Sequence, residues 1–526
     1  MLVTSPGYNS ILKRNYLALK HNIIANYVSQ IYVTCVGIVI LPLYIQYMGS
    51  EAYGLVGFFT MLQAWFSLLD MGLTPTIGRE TARYYGGSLT ALAYRQLFRA
   101  LSLIFAAIAV IGGGTLWFFA EVVATGWLKI NELAQGEVVL TVQIMAISVS
   151  LRWMGGLYRG VITGSERLVW LSGFNVLIAT LRFIGVFASM WLYGFTPFVF
   201  FLHQLVVVCL EIAGLFFMSN RLLPSQHNLD GCIGWSFNPV RPVLKFALTI
   251  AFTSSVWVLV TQTDKLMLSG ILPLAEYGYF TLAVLAASGI MVIGGPISSA
   301  IMPRMARLYA EGKHEELLQI YRNATQLVSI IAGSAAITLA LCAKQLLFAW
   351  TGDKALAAQA APLLTLYAIG NGFLAVAAFS YYLQYAKGNL RYHLIGNAIL
   401  VVLLIPGLIY AATYYGAIGA GYVWLIINGL FFFCWVAYVH KKIEPGLHWH
   451  WLWQDVLVII MPALVGGYIS ISFNYQAEGR MSNLFIVAAL GIITITIAAL
   501  ASQNGRRLLL KILKSKLLLG KNNEKQ

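Results

Sequence analysis

The chain has few charged residues for its length. Asp, Glu, Lys and Arg make up 10% of its 526 residues, whereas 59% of the residues are hydrophobic. An ordinary soluble domain has about 25% charged residues. Apolar runs of about 20 residues, the length that a helix needs to cross a bilayer, recur along the chain. Alternation with a period of two, which would indicate a membrane β-barrel, is absent from the sequence. The composition therefore predicts an all-α polytopic membrane protein.

Cysteine is also scarce. The five cysteines are spread from Cys35 to Cys434, and none forms a CxxC pair. An odd number of separated cysteines argues against both a disulfide framework and a metal site. The sequence contains no GxxxxGK[ST] motif, so it does not predict ATP hydrolysis by this chain. We expect no metal, no catalytic residues and no cofactor, with H⁺ or Na⁺ as the candidate coupling ions.

The apolar runs between charged breaks predict about fourteen membrane-spanning helices. Lys and Arg concentrate in alternate connections, such as those around Arg79, Arg221 and Arg304. Because cytoplasmic connections carry an excess of these residues, both termini are predicted to be cytoplasmic. This topology accounts for the formal net charge of +15, and a nucleic-acid partner is not needed to explain it.

A weak internal repeat runs through the chain. A shift of 224 residues lays Tyr53-Gly54 on Tyr277-Gly278, and a shift of 222 lays Asn175 on Asn397. Each half then has an even number of spans, so both halves enter the membrane from the same side. This predicts two six-helix halves as a parallel repeat, related by an axis along the membrane normal, around a central cavity.

The predicted organisation has five parts. They are an N-terminal six-helix lobe (1–220), a cytoplasmic linker (221–245), a C-terminal six-helix lobe (246–441), two additional transmembrane helices (442–503) and a basic tail (504–526). We expect the tail to form an amphipathic helix on the anionic inner leaflet. A solvated tail is the alternative.

The stretch LLDMGLTPTIGRETARYY (68–85) places the carboxylate of Asp70 near the end of the second predicted span. Arg79 and Arg83 follow on one face of a short helix, and Arg304 and Arg307 occupy the matching place in the second half. One interpretation is that these five residues form a cytoplasmic gate whose arginines meet a phosphate-bearing headgroup. The alternative is that the arginines only anchor the topology and that Asp70 pairs with an arginine at a helix end.

Charged residues inside predicted spans are functional candidates, because a charge within the membrane costs a few kcal/mol or more. Arg152, Arg182 and Glu211 belong to this class. Guanidinium groups grip phosphate oxygens in a bidentate fork, so both arginines are candidate pyrophosphate ligands, with Asn175 on the same helix face as Arg182. A structural Arg152–Glu211 pair is the alternative, whereas Arg182 has no obvious acidic partner at its predicted depth.

Three charged residues are candidates for ion coupling. Glu211 is a carboxylate within the sixth predicted span, and Asp264 and Lys265 lie near the outer end of the seventh. Glu211 is a candidate protonation site, and Asp264 is a candidate ligand of a coupling cation. For Asp264 and Lys265 a local ion pair is the alternative.

The matching helices of the second half offer neutral polar groups. Tyr381, Gln384 and Asn397 can bind sugars through stacking and hydrogen bonds. Ordinary helix packing and an interfacial aromatic belt are the alternative.

Three motifs carry a resemblance to a known family. YMGSEAYGLVGFF, LLDMGLTPTIGRETARYY and VTQTDKLMLSGILPLAEYGYF resemble segments of the bacterial lipid-linked oligosaccharide (O-antigen and polysaccharide repeat unit) flippases. Their superfamily also contains the multidrug and toxin extrusion antiporters and the peptidoglycan-precursor flippases. The resemblance covers roughly residues 20–440, and the two additional helices lie beyond a twelve-helix core, as they do in peptidoglycan-precursor flippases.

The resemblance implies a function. It implies transport of an undecaprenyl-pyrophosphate-linked glycan from the inner to the outer leaflet of the cell inner membrane, driven by an ion gradient. Membrane lipid and the polysaccharide polymerase machinery are the further partners expected. A cation-coupled multidrug exporter of the same superfamily and a membrane enzyme acting on the same lipid carrier are the alternatives. The acidic outer loop Glu121–Glu137 contains neither His nor a DxD motif, which disfavours the enzyme.

Reporter fusions test the predicted topology. Fusions after Glu132 and Asp353 should behave as external, and fusions after Ser225 and Lys313 as cytoplasmic, because Lys and Arg concentrate on the cytoplasmic side. Paired alkaline phosphatase and green fluorescent protein activities report the two locations. An external signal at Ser225 would contradict both the orientation and the repeat.

Overall fold

The computed structural model describes residues 6–70, 72–225, 231–234, 237–292, 294–473, 478–503 and 505–506. The principal helices are α1 (Pro6–Met48), α2 (Ser50–Phe66), α3 (Leu73–Tyr85), α4 (Ala91–Phe118), α5 (Gln135–Gly164), α6 (Leu168–Tyr193), α7 (Pro197–Leu222), α8 (Arg241–Ile271), α9 (Leu274–Val292), α10 (Gly294–Ala310), α11 (His314–Leu341), α12 (Ala343–Thr351), α13 (Lys354–Ala386), α14 (Arg391–Ile443), α15 (Leu447–Ser472) and α16 (Arg480–Ala501). The predicted all-α class is confirmed. Apart from residues 505–506, the predicted tail (504–526) lies outside the described residues.

Within the described part of the chain, twelve helical segments are long and apolar enough to cross a membrane. The longest, Arg391–Ile443, contains Gly416 with φ 60° and ψ −146°, which breaks its helical path. α8 is a further helix of 31 residues outside that set. The protein is a multi-pass membrane protein, as predicted, whereas the count of fourteen spans and the cytoplasmic termini stay predictions.

The chain divides into two compact units, Met1–Gly278 and Tyr279–Gln526. The first unit includes α8, which the predicted repeat assigns to the C-terminal lobe. Contacts at the end of α8 give the reason. The Trp127 indole donates to the Ser269 hydroxyl at 2.9 Å, and the Leu274 N–H donates to the Lys129 carbonyl at 2.9 Å. The connection after α4 therefore holds the end of α8 and the start of α9 within the first unit.

The core of the first unit positions the short helix α3. Ile77 on α3, Leu101 on α4 and Leu157 on α5 are each 0% exposed and belong to one hydrophobic cluster. Burying an aliphatic side chain of this size contributes about 1.5–3 kcal/mol. α3 is therefore packed against α4 and α5 directly after the turn that contains Asp70.

α2 and α9 approach each other closely at two glycines. A Cβ on Gly54 would lie 2.1 Å from the carbonyl oxygen of Leu274, and one on Gly278 would lie 2.9 Å from that of Ser50. The contact is reciprocal, since a 224-residue shift lays Ser50 and Gly54 on Leu274 and Gly278. The parallel repeat of the two halves stays a prediction.

Buried hydrogen bonds fix the two C-terminal helices, α15 and α16, to α11 in the second unit. Asp455 on α15 is 0% exposed and accepts from Arg322 Nε at 2.7 Å and from Gln326 Nε2 at 2.7 Å. Gln326 in turn accepts from the hydroxyl of Ser502, directly after α16, at 2.9 Å. A buried carboxylate is tolerated only with such partners, so α15 and α16 are integral parts of this unit.

Replacing Gly54 by Ala should destabilise the protein, because the new methyl group would overlap the Leu274 carbonyl. Overpacking of this kind costs about 1–3 kcal/mol, and we expect the melting temperature of the purified protein to fall by several degrees. Gly114→Ala is the matched control, since a Cβ there would meet nothing within 4 Å. Equal melting temperatures for the two variants would show that α2 and α9 do not pack this closely.

Candidate functional site: a cationic cavity in the first unit

Glu211 is the centre of a charged cluster within the first unit. Its side chain on α7 is 5% exposed, and each carboxylate oxygen contacts a different guanidinium group. Oε1 accepts from Nη2 of Arg159 on α5, and Oε2 accepts from Nη2 of Arg182 on α6 at 2.6 Å. Arg159 Nη1 also donates to Asn175 Oδ1 at 2.7 Å. The cluster therefore joins α5, α6 and α7.

The structure corrects the expectation that Arg182 has no acidic partner. Helical rise alone gives a depth along each helix, but it gives neither the tilt of a helix nor the lateral distance to its neighbour. Arg152 Nη1 donates to Gln63 Oε1 on α2, and no Arg152–Glu211 ion pair occurs among the described contacts. That alternative was wrong about the partner, although Arg152 and Glu211 line the same cavity.

Arg159 is one of the site residues that sequence reasoning missed, because an arginine near the end of a predicted span is typical of a cytoplasmic connection. Arg152 and Arg159 are seven residues apart, so two helical turns place them on one face of α5. The same spacing had identified Asn175 and Arg182 as a pair on α6. Applied to α5, it would have included Arg159.

A π-helical turn, Leu181–Gly185, sets the position of Arg182. Such a turn interrupts the regular ladder of backbone hydrogen bonds, and the freed carbonyl groups need other partners. The carbonyls of residues 181, 182 and 183 lie 3.0, 3.1 and 2.9 Å from His203 Nε2, Gln204 Nε2 and the Tyr44 hydroxyl, respectively. These three side chains therefore hold the backbone that carries Arg182.

A cavity of about 540 Å³ lies beside the cluster, and we call it the first cavity. The charged side chains that line it are Arg152, Arg159, Arg182 and Glu211. Three guanidinium groups and one carboxylate leave an excess of two positive charges among these lining residues. Placed between membrane-spanning helices, such an excess favours a ligand of opposite charge.

α1 supplies a neutral polar side of the first cavity. Asn26, Ser29, Gln30 and Thr34 line it, and the Ser29 hydroxyl donates to the Ser172 carbonyl of α6 at 3.0 Å. Sequence reasoning missed these residues. Their offsets of three, four and eight from Asn26 place them on one helical face, a signal that was present in the first apolar run.

A second cavity of about 490 Å³ shares Arg152 and Arg159 with the first and is also lined by Asp70. Asp70 Oδ1 accepts from the backbone N–H of Thr74 at 3.1 Å and from its hydroxyl at 2.5 Å. Asp70 thus binds a backbone N–H and a hydroxyl in the first turn of α3. The alternative that it pairs with an arginine at a helix end is wrong, because no Asp70–arginine ion pair occurs among the described contacts and Arg79 and Arg83 lie beside Glu80 instead.

The first pair of predicted gate arginines lies around an acid that sequence reasoning did not single out. Arg83 Nη1 lies 2.9 Å from Glu80 Oε2, and Arg79 Nη1 lies 4.0 Å from Glu80 Oε1. The Glu80 side chain is 2% exposed, whereas the side chains of Arg79 and Arg83 are 49% and 45% exposed. A gating role for Arg79 and Arg83 stays a prediction.

The second pair of predicted gate arginines lies on α10. Arg304 is exposed, and Arg307 Nε donates to Glu311 Oε1 at 2.6 Å. Lys313 Nζ lies 3.0 Å from Glu311 Oε2. Hydrogen bonds from Arg307 and Lys313 hold the pKa of Glu311 below its ordinary value. The gating role of this pair also stays a prediction.

Asp264 and Lys265 form a local ion pair on α8, with Nζ of Lys265 3.2 Å from Oδ1 of Asp264. Lys265 also donates to the Thr261 carbonyl at 2.6 Å. The structure therefore contains the arrangement given as the alternative. Neither residue is among those that line the first cavity, and their role in ion coupling stays a prediction.

Two of the three predicted sugar-binding residues of the second unit, Tyr381 and Asn397, contact His393. The Tyr381 and His393 rings are 4.4 Å apart, and Asn397 Nδ2 lies 3.1 Å from His393 Nε2. Gln384 donates to the Ser380 carbonyl at 3.1 Å, and its Oε1 is buried with no hydrogen-bond partner among the described residues. Sugar binding by these residues stays a prediction.

Removing the Glu211 carboxylate should destabilise the protein, because Arg159 and Arg182 lose their shared counter-charge. Breaking a buried ion pair from one side costs about 3–5 kcal/mol. Glu211→Ala should therefore lower the melting temperature of the purified protein, and the double variant Glu211→Ala/Arg182→Ala should recover part of the loss. Arg221→Ala is the control, since this exposed arginine at the end of α7 lies over the Phe217 ring. A double variant less stable than Glu211→Ala would contradict the assignment.

Solved structures with the same fold are transporters. The lipid II flippase MurJ in an inward closed conformation is 14% identical, with a TM-score of 0.68 over 91% of this chain and 97% of that chain. An inward-facing multidrug resistance transporter of the MATE family, within the MOP superfamily, is 13% identical, with a TM-score of 0.62 over 79% of this chain and 94% of that chain.

A third structure is a MOP superfamily transporter from Pyrococcus furiosus, described as having a binding pocket of reverse polarity. It is 13% identical, with a TM-score of 0.54 over 81% of this chain and 95% of that chain. At these identities the likeness establishes the fold alone.

Sequence comparison gives the family. A search of curated proteins finds no match. The family model described as polysaccharide biosynthesis protein matches residues 19–309, which is more than half of the chain and includes the whole of the charged cluster. The chain belongs to the polysaccharide biosynthesis protein family and has the MOP superfamily transporter fold.

Proposed function

We propose that the protein translocates an undecaprenyl-pyrophosphate-linked oligosaccharide from the inner to the outer leaflet of the bacterial inner membrane, by alternating access, for surface polysaccharide synthesis. The family and the fold support lipid-linked flipping or transport. The pyrophosphate-linked glycan, the outward direction and the coupling to an ion gradient are the further content of the proposal.

The observation that carries the proposal is the charge of the first cavity. Its three guanidinium groups and one carboxylate leave two positive charges in excess. A pyrophosphate diester between a lipid and a sugar carries two negative charges at neutral pH, which would balance that excess. Arginine suits this ligand, because its planar fork of N–H donors binds phosphate oxygens in pairs.

The surroundings of the arginines also suit a lipid-linked glycan. Asn26, Gln30 and Asn175 offer amide donors and acceptors along the wall of the first cavity, and such groups bind sugar hydroxyls. The polyprenyl tail can remain in the hydrocarbon of the bilayer while the headgroup occupies the cavity, so each part of the substrate lies in a medium of its own polarity.

Coupling to H⁺ or Na⁺ is part of the proposal, because the sequence contains no ATP-binding motif. Glu211 and Asp264 are the candidate coupling carboxylates. Asp264 is 1% exposed beside Lys265, and Glu211 is shared between two arginines. Either carboxylate would need to exchange its cationic side-chain partner for the coupling ion.

Cation-coupled drug export is the competing function, since a multidrug transporter shares the fold. A cationic drug would meet the positive excess of the first cavity, which opposes its binding. Electrostatics therefore favours an anionic substrate.

Arg182→Ala should abolish transport of the pyrophosphate-linked substrate, because it removes a bidentate phosphate donor from the first cavity. Arg182→Lys should restore only part of the activity, since an ammonium group keeps the charge but lacks the fork. The measurement is the movement of a fluorescent pyrophosphate-linked disaccharide lipid across proteoliposome membranes, read from its accessibility to an external quencher.

Arg221→Ala is the matched control for this assay, because it removes an exposed arginine from outside the cavity. Each variant must reach the same level in the vesicles as the unsubstituted protein. Full transport by Arg182→Ala would contradict the cationic-cavity account. Transport of a cationic dye by the unsubstituted protein, with no movement of the lipid-linked disaccharide, would favour drug export instead.

A further inference from the structure

We propose that Glu211 is a resident anion that the phosphate oxygens of the ligand displace, so that binding and release are an exchange of anions at Arg159 and Arg182. This inference rests on the proposed function, because it takes a phosphate-bearing ligand in the first cavity. It assigns Glu211 the role of setting the affinity and the charge selectivity of that site.

The geometry of the carboxylate carries the first step. Glu211 uses one oxygen on Arg159 and the other on Arg182, so its two oxygens bridge the two guanidinium groups as two oxygens of a phosphate would. Both arginines and Glu211 itself line the first cavity. A phosphate group that enters the cavity must therefore compete with Glu211 for the same N–H donors.

The two guanidinium groups of Arg159 and Arg182 carry more N–H donors than one carboxylate can accept from. Each guanidinium group carries five N–H donors, and Glu211 takes one contact from each arginine. Arg182 Nε is buried and has no hydrogen-bond partner among the described residues, although a buried donor without a partner is costly. A pyrophosphate diester brings more oxygens than a carboxylate does, so it can use donors that Glu211 leaves unused.

A displaced Glu211 has another cation in the same cavity. Arg152 lines the first cavity together with Glu211, while its own direct hydrogen bond goes to Gln63. The other acid near these arginines, Asp70, lies in the second cavity and is bound by Thr74. Glu211 can therefore move toward Arg152 when the ligand enters, and its return to Arg159 and Arg182 would favour release of the ligand.

The proposed anion exchange predicts that the effect of removing the Glu211 charge on affinity depends on the charge of the ligand. Removing one negative charge from the site makes the binding free energy of an anionic ligand more favourable, in proportion to the number of negative charges on that ligand. For Glu211→Gln we expect affinity to rise by about tenfold per ligand charge, at a fixed, low ionic strength. Turnover in vesicles should fall in the same variant, because the ligand is no longer displaced.

The experiment uses the full-length protein in nanodiscs and three farnesyl probes with one, two and about three negative charges. They are farnesyl-phosphoryl-N-acetylglucosamine, farnesyl-pyrophosphoryl-N-acetylglucosamine and farnesyl pyrophosphate. Dissociation constants are measured by calorimetry for the unsubstituted protein and for Glu211→Gln. Glu444→Gln is the matched control, since it removes a carboxylate that is paired with Lys387 in the second unit.

A tightening that increases from the first probe to the third supports the exchange. The exchange would be overturned if Glu211→Gln bound each probe with the same affinity as the unsubstituted protein. It would also be overturned if the affinity fell by one common factor for all three probes. Either result would leave Glu211 a purely structural role. If Glu211→Gln does not fold, Glu211→Asp decides the question. Its shorter side chain cannot bridge both arginines, so the same order of tightening is expected with smaller factors, and a uniform change would again overturn the exchange.

Failure of the exchange is distinguishable from failure of the proposed function. If the affinities follow ligand charge but the unsubstituted protein moves no pyrophosphate-linked glycan in vesicles, the exchange stands and the proposed function fails. If the glycan moves and Glu211→Gln binds all three probes as the unsubstituted protein does, only the exchange fails.

Discussion

The carboxylate of Glu211 lies between the guanidinium groups of Arg159 and Arg182, and the first unit is arranged around this contact. A charge within the membrane needs a partner, so α5, α6 and α7 must meet where these three side chains meet. The π-helical turn of α6 sets the position of Arg182 in this contact. It is held by His203 and Gln204 from α7 and by Tyr44 from α1. The first cavity lies beside the cluster, and its cationic character follows from three arginines and only one acid in its lining.

Charge is used differently in the second unit. There the buried Asp455 is satisfied by Arg322 and Gln326, and its contacts fix α15 to α11. Tyr381 and Asn397, which the sequence suggested for sugars, contact His393. In the proposed function the phosphate-binding chemistry therefore belongs to the first unit, whereas sugar binding by Tyr381 and Asn397 stays a prediction. The two C-terminal helices have a structural reason to be present, whatever the substrate is.

Much of the fold follows from sequence because it depends on local patterns. Apolar length predicted the membrane helices, and the intramembrane positions of Arg152, Arg182 and Glu211 indicated a charged site. Which arginine pairs with Glu211 could not be read in the same way, because the pairing depends on how neighbouring helices tilt and approach each other.

Two further parts of the site were missed for physical reasons. Arg159 lies near a helix end, where an arginine usually marks topology rather than function. The π-helical turn at Leu181–Gly185 has no simple sequence signature. The only indication was the polar pair His203-Gln204 within an apolar run, whose side chains contact carbonyl groups of the turn. The polar face of α1 was visible in the spacing of Asn26, Ser29, Gln30 and Thr34.

The central claim is that the arginines of the first cavity hold the pyrophosphate of a lipid-linked glycan. An electron cryo-microscopy structure of the protein with farnesyl-pyrophosphoryl-N-acetylglucosamine tests it most directly. The account predicts that both phosphorus atoms lie in the first cavity, with phosphate oxygens about 3 Å from the guanidinium nitrogens of Arg159 or Arg182. A probe bound with its phosphates among Tyr381, Gln384 and Asn397, and with Glu211 still on both arginines, would contradict it.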